Sequence, residues 1–227
     1  MVTGVPIPDA GAGDAGAGDE AYRIVRSRID LSRLAPLGRY VTERVIMASA
    51  DFDYATDLVC DEQVLAAGVE EIAAGVPVVA DGVTVAAGIP GYPVICTSED
   101  SLTARLARTA AISRPAAAVR LAFGQAGPGA IWVVGCAAEA VAEIISRNVQ
   151  PALVIALPVG LVGAAEAKDA LRASGLPALT NVSEKGGAAV AAAAFCALAD
   201  VARAAAQGAA GAGSAGMGVA GEGPGSH

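Results

Sequence analysis

Short apolar runs alternate with amphipathic stretches along the middle of the chain. The spacing of apolar positions predicts helices over 21–29 and 38–50, with Ile24, Val25, Val41, Val45 and Ile46 on their inner faces. A third helix is expected over 62–74, ended by Gly75. Continuous apolar runs at 77–80, 93–97 (PVICT), 130–135 (AIWVVG), 152–157 (ALVIAL) and 177–182 read as strands. Further helices are predicted over 101–123, 137–148, 164–174 and 185–206. The last of these is rich in Ala, which offers little area and so demands close packing. Uniformly apolar strands alternating with helices predict parallel strands covered on both faces, hence a single-domain three-layer α/β/α fold with a mainly parallel sheet. Ligands in such folds bind beyond the carboxyl ends of the strands. The loops after Ala80, Thr97, Gly135, Leu157 and Val182 are therefore the candidate site.

Two of those loops are rich in glycine. After Leu157 the chain reads PVGLVG and enters a helix, AAEAKDAL. Gly160 and Gly163 allow close approach of a ligand to the backbone, and the helix N-terminus favours a carboxylate or phosphate. A tight strand-to-helix turn explains the same pattern about equally well. The pattern is not GxGxxG, so dinucleotide binding has little support. After Val182 comes SEKGG, where Gly186 and Gly187 open the last helix; this is a second candidate anion nest, or simply a turn. Cys136 lies near a helix start, a position that favours a thiolate, although a small buried hydrophobe is the plainer reading. Arg114 sits in SRP, where Pro115 interrupts or kinks the helical stretch, and it faces either a cleft or solvent. The segment ASADFDY places Asp51, Asp53 and Tyr54 together, and Asp51 also reads as a helix N-cap.

Composition narrows the classes. The 227 residues carry 23 acidic and 15 basic side chains, a net charge of −8. Four of the acids and none of the bases lie in 1–19 and 208–227, Gly/Ala-rich ends that are predicted to be disordered. The domain between them, 20–207, keeps 19 acids against 15 bases. This balance argues against general binding to nucleic acid or to an anionic membrane. The one histidine, His227, is the final residue, which excludes His-based triads and His-rich metal sites. Cys60, Cys96, Cys136 and Cys196 are too far apart in sequence to form a CxxC metal or redox pair. With no signal-peptide pattern, they predict a reduced, cytoplasmic protein with buried free thiols. The apolar stretch 151–165 is broken by Pro158, Gly160 and Gly163, and 186–198 is mostly Ala, so neither reads as a membrane span.

Taken in order, ERVIMASADFDYA, GVPVVADGVTVAAGI, PVICTSED, SRPAAAV, AIWVVGCAAEAV, LPVGLVGAAEAKDAL and NVSEKGGAAVAAAA resemble the blocks of the precorrin-8X methylmutase (precorrin isomerase) family of cobalamin biosynthesis. The resemblance runs from about residue 21 to 206, and its last two blocks are the most specific. It implies a homodimeric α/β protein with a cleft at the subunit interface, holding a tetrapyrrole (precorrin or cobalt-precorrin) decorated with carboxylates. The implied reaction moves a methyl group from C-11 to C-12 of the ring, giving hydrogenobyrinic acid or its cobalt form, with no external cofactor or metal. The alternative is a catalytically impaired homologue that binds a tetrapyrrole as carrier or regulatory partner. A histidine in the family's early block is assigned to protonating the macrocycle; Met47 occupies that position here, and methionine transfers no proton. Asp51 is the candidate substitute acid, with Asp53, Tyr54 and Cys136 nearby. Ile89 and Pro90 stand where the family carries a small polar residue, and Cys136 where it carries an asparagine. The resemblance implies substrate contacts from Arg44, Ser49, Arg114, Cys136, Pro158, Val159, Gly160, Gly163, Lys168, Gly186 and Gly187.

Overall fold

Every residue of β4 (Ile131–Val134) and β5 (Leu153–Ala156) is buried, as their uninterrupted apolar runs require. Successive side chains of a strand point to opposite faces. Ile131, Val133, Leu153 and Ile155 therefore enter one core, and Trp132, Val134, Val154 and Ala156 the other. The computed structural model describes Ile7 and residues 17–214. Its sheet also contains β1 (Leu58–Val59), β2 (Val78–Ala80), β3 (Val94–Ile95) and β6 (Ala178–Asn181), in the order β1-β6-β5-β4-β2-β3. All pairings are parallel except that of β1 with β6.

Helices cover both faces. On one lie α1 (Ala17–Arg28), α2 (Pro36–Ser49), α4 (Glu62–Ala73), α5 (Val83–Ala87) and α10 (Ala188–Ser214); α3 (Tyr54–Asp57) is a single turn leading into β1. On the other lie α7 (Arg114–Ala126), α8 (Ala138–Arg147) and α9 (Ala164–Ala173), with α6 (Ser101–Ala110) packed on α7. The three-layer, mainly parallel architecture read from the sequence is the observed one. The Ala-rich α10 buries Ala191, Phe195 and Leu198 completely, against α2, α4 and the sheet. Its small side chains are matched by glycines opposite. A Cβ on Gly88 would sit 2.7 Å from that of Ala192, and one on Gly135 would sit 2.8 Å from Ala188 Cα. By length and composition the stretch Ala188–Gly208 is apolar enough to cross a membrane, but here it is the central helix of one core.

Three readings need correction or extension. The stretch 101–123 is two helices, α6 and α7. Ala111 is left-handed (φ 51°), and the Ser113 hydroxyl accepts the Ala116 N–H to start the second helix. Pro115 sits in that first turn, where its missing N–H costs nothing. The antiparallel edge strand β1 escaped notice because two residues carry no periodicity. Helices α1 and α10 extend to residues 17–19 and 208–214, inside the Gly/Ala-rich ends, while the rest of those ends lies outside the described residues.

Chain order fixes where a ligand belongs. From β2 the chain steps outward to β3, then returns to the other side of β2 as β4 and continues through β5 to β6. The reversal between β2 and β4 is a topological switch point, and a crevice opens outside the carboxyl ends of such strands.

Candidate functional site

That crevice is present. It has a volume of about 330 Å³ and is lined by Asp81, Gly82, Val83 and Thr84 after β2, Ser98 and Glu99 after β3, Arg114 and Pro115 at the start of α7, and Cys136 and Ala137 after β4. Arg114 is exposed, and its Nη2 donates to the Ser98 carbonyl at 3.4 Å. It is the cation of the crevice.

The N–H groups at the start of α8 are not vacant. The Asp81 carboxylate accepts those of Gly135 (3.1 Å), Cys136 (2.8 Å) and Ala137 (2.9 Å). Burial raises the Asp81 pKa, although these three donors pull the other way. Cys136 is exposed rather than buried, which corrects the plainer sequence reading. Nor is it a ready thiolate. Desolvation and the neighbouring Asp81 charge push its thiol up to about 11, outweighing its place at a helix start. Asp81 was missed because a single Asp after a short strand carries no motif.

The two glycine loops border the same rim. Gly160 N–H donates to the Glu184 carbonyl at 3.0 Å, and Gly187 N–H to the Leu157 carbonyl at 2.8 Å. The Cβ position of Gly163 lies 3.8 Å from Ala138 Cβ, at the start of α8. α9 begins without a side-chain cap. Between its glycines the loop is apolar and open: Leu161 is 90% and Val162 91% exposed. Pro158 is buried and Val159 exposed. Lys168 on α9 is fully buried beneath the two loops, with its Nζ bonded to acceptors from both.

Met47 lies in the last turn of α2, half-buried against the core. The end of that helix reaches the rim through Lys185, whose Nζ donates to Asp51 (2.7 Å) and Asp53 (2.5 Å). The hydrogen bond from Lys185 and that from the Asp53 N–H hold the Asp51 carboxyl below the usual range. Asp51 is therefore ionised at neutral pH and carries no proton to donate there. Nor is it a helix N-cap: its carboxylate closes a turn onto Asp53 N–H. The Ser49 hydroxyl donates to the Val45 carbonyl (2.8 Å) and accepts the Asp51 N–H (3.2 Å), which finishes α2. Arg44 does not line the crevice. Its Nη1 pairs with Asp200 of α10 at 2.9 Å, about 18 Å along α10 from its first turn at 1.5 Å per residue. It ties two helices together away from the crevice.

Asp57, at the end of α3, completes the rim. It accepts from Asn181 Nδ2 (2.8 Å), Ser183 Oγ (2.7 Å) and the N–H groups of Ser183 (2.8 Å) and Val182 (3.1 Å). Burial pushes its pKa up, but these donors lower it below the ordinary value. A depressed carboxyl stabilises the fold above its unfolded pKa, and that contribution is lost as pH falls through the folded value. We expect Asp57→Asn to cost about 1.5–3 kcal/mol at pH 7, as for hydrogen bonds to charged groups. Urea unfolding between pH 3 and 7 should show a shallower acid dependence in the variant; equal slopes would remove Asp57 from that role.

Comparisons with known proteins bear on the family. The profile of precorrin-8X methylmutase matches residues 18–201. The cobalt-precorrin-8 methylmutase of Methanocaldococcus jannaschii is 33% identical over 157 residues, covering 67% of this chain and 74% of the relative. That of Salmonella typhimurium is 32% identical over 177 residues, covering 75% and 84%. The crystal structure of precorrin-8X methylmutase from Thermus thermophilus aligns with a TM-score of 0.73 at 32% identity, over 84% of this chain and 95% of that one. On sequence and fold together, the chain belongs to the precorrin-8X methylmutase family.

Proposed function

We propose that this protein is a corrin-ring isomerase of cobalamin biosynthesis, acting on precorrin-8X or its cobalt form and moving a methyl group from C-11 to C-12. The observation that carries the reading is the switch-point crevice, with two interlocked glycine loops beside it at the start of α8, in a chain that matches the family over residues 18–201. A volume of about 330 Å³ suits one carboxylate-bearing edge of the macrocycle. The remaining ring lies over the loops, where the exposed Leu161 and Val162 offer apolar cover to its face. A second copy closing over this rim makes the working unit a homodimer, checked by sedimentation. A cytoplasmic location and freedom from cofactor or metal belong to the same reading.

Holding the ring is the task of Arg114 and of the uncapped N–H groups at the start of α9, beside Gly163, since the N–H groups of Gly160 and Gly187 are already given to the Glu184 and Leu157 carbonyls. Asp81 fills the nest at α8 with its own charge, so substrate carboxylates are directed to Arg114 instead. Arg114→Ala should weaken binding of hydrogenobyrinic acid tenfold or more, a loss of about 1.4 kcal/mol. Absorbance titration reads this, and an unchanged Kd would take Arg114 out of the site.

Met47 stands where the family's histidine belongs, so orientation of the ring, rather than a built-in imidazole, carries the reaction. Incubation with precorrin-8X under exclusion of air, followed by visible absorbance, tests the activity. Appearance of the corrin chromophore supports it; coloured binding with no conversion would instead make the protein a tetrapyrrole binder.

A further inference from the structure

Lys168 is the most deeply buried charge among the described residues, with no exposed surface. No carboxylate touches it. Its Nζ instead lies 2.5 Å from the Ser183 carbonyl, 2.8 Å from the Lys185 carbonyl, 2.8 Å from Asn181 Oδ1 and 3.3 Å from the Pro158 carbonyl. Pro158 belongs to the loop after β5, and Ser183 and Lys185 to the loop after β6. Asn181, the last residue of β6, is oriented by donating its Nδ2 to Asp57 and to the Lys185 carbonyl. The compensating negative charge is thus one side chain removed.

Burying an ammonium is costly even when its hydrogen bonds are made, and here desolvation lowers its pKa to about 8. Anchoring α9 does not require it, since Leu171 on the same helix is buried without any polar group. An apolar side chain at 168 would, however, leave three carbonyls from two loops without their shared donor.

We propose that Lys168 is a positioning residue for the methyl migration: its ammonium fastens the 158–163 loop to the 183–187 loop, so that both present one fixed surface to the macrocycle. The claim rests on the corrin reading of the rim. It does not make Lys168 a substrate contact, which replaces the role expected from the sequence. Asn181 and Asp57 act behind it, by aiming the amide oxygen at Nζ. The loop carrying Leu161 and Val162 has few other ties, the Gly160–Glu184 and Gly187–Leu157 hydrogen bonds being the main ones.

The test uses the full chain with Lys168→Met and Lys168→Gln, and two readouts. One is the rate of trypsin cleavage after Lys185 under native conditions, located by mass spectrometry. The other is the Kd for hydrogenobyrinic acid by absorbance titration. Lys168→Met should be cleaved at least tenfold faster and bind at least tenfold more weakly, while amide exchange in β4 and β5 stays at the wild-type level. Lys168→Gln, which keeps two N–H donors, should fall between the two in both readouts, and it decides the matter if the Met variant does not fold. Wild-type resistance and affinity in the variants would overturn the proposal, as would faster exchange in β4 and β5 in step with weaker binding. Should the wild-type protein itself bind no corrinoid, the corrin reading falls, and the cleavage rate alone judges the fastening.

Discussion

Met47→His should increase the rate of corrin formation by about 10²–10⁴-fold, the usual contribution of a positioned general acid. The reason is the state of the other candidate acids. Asp51 is held ionised by Lys185. Tyr54 is buried, and desolvation with the nearby Asp51 charge pushes its hydroxyl up to about 12. The Cys136 thiol stands at about 11. None of these gives up a proton readily at pH 7 and recovers it. A histidine at 47, with an ordinary pKa of about 6.5, would. Its place in the last turn of α2 favours the imidazolium further, because the helix C-terminus attracts positive charge and no base occupies that turn. Single-turnover absorbance measurements from pH 5 to 8 provide the check. The variant should gain a limb that rises as pH falls through the imidazole pKa, and the wild type should lack it. The Kd for hydrogenobyrinic acid should change little, since position 47 is half-buried and the cation proposed to hold the ring is Arg114. Equal rates in the two proteins would mean that protonation is not what limits this enzyme.

The layers and the central strands were legible in the sequence because fully buried parallel strands leave unbroken apolar runs, as AIWVVG and ALVIAL do. The rule that ligands bind beyond the strands' carboxyl ends likewise picked out the loops after Ala80, Thr97, Gly135, Leu157 and Val182, and the first three of these line the crevice. What the sequence hid is pairing at long range. Arg44 looks like a ligand cation until Asp200, 156 residues away, is seen to claim it. Asp51 looks like an acid until Lys185 arrives from 134 residues away. Cys136 looks like a thiolate at a helix start until Asp81, 55 residues earlier, is found on its N–H. Local pattern reports which side a residue faces; it does not report which charge meets it after the sheet has assembled.

The interlocking of the two glycine loops makes one substitution far more damaging than its neighbour. Gly186 has φ +152°, and a Cβ there would lie 2.2 Å from the Leu157 carbonyl oxygen and 2.8 Å from that of Pro158. Both obstacles are backbone, so no rotamer change relieves them. The left-handed conformation itself costs a non-glycine residue about 1–3 kcal/mol. Separating the loops would also break the Gly187–Leu157 hydrogen bond, about 0.5–1.5 kcal/mol more. Gly187, at φ +128°, shares the backbone strain but has only Val159 Cγ1 nearby, at 3.9 Å. Gly186→Ala should therefore lower the melting temperature sharply and weaken binding of hydrogenobyrinic acid about 100-fold, whereas Gly187→Ala should show only a part of either effect. The comparison separates steric interlock from conformational strain, because strain alone would make the two variants alike. Differential scanning calorimetry and absorbance titration on both proteins measure it. Indistinguishable variants would mean that the 183–187 loop is free to move away from Leu157, and that the rim is not the single rigid shelf on which orientation of the macrocycle depends.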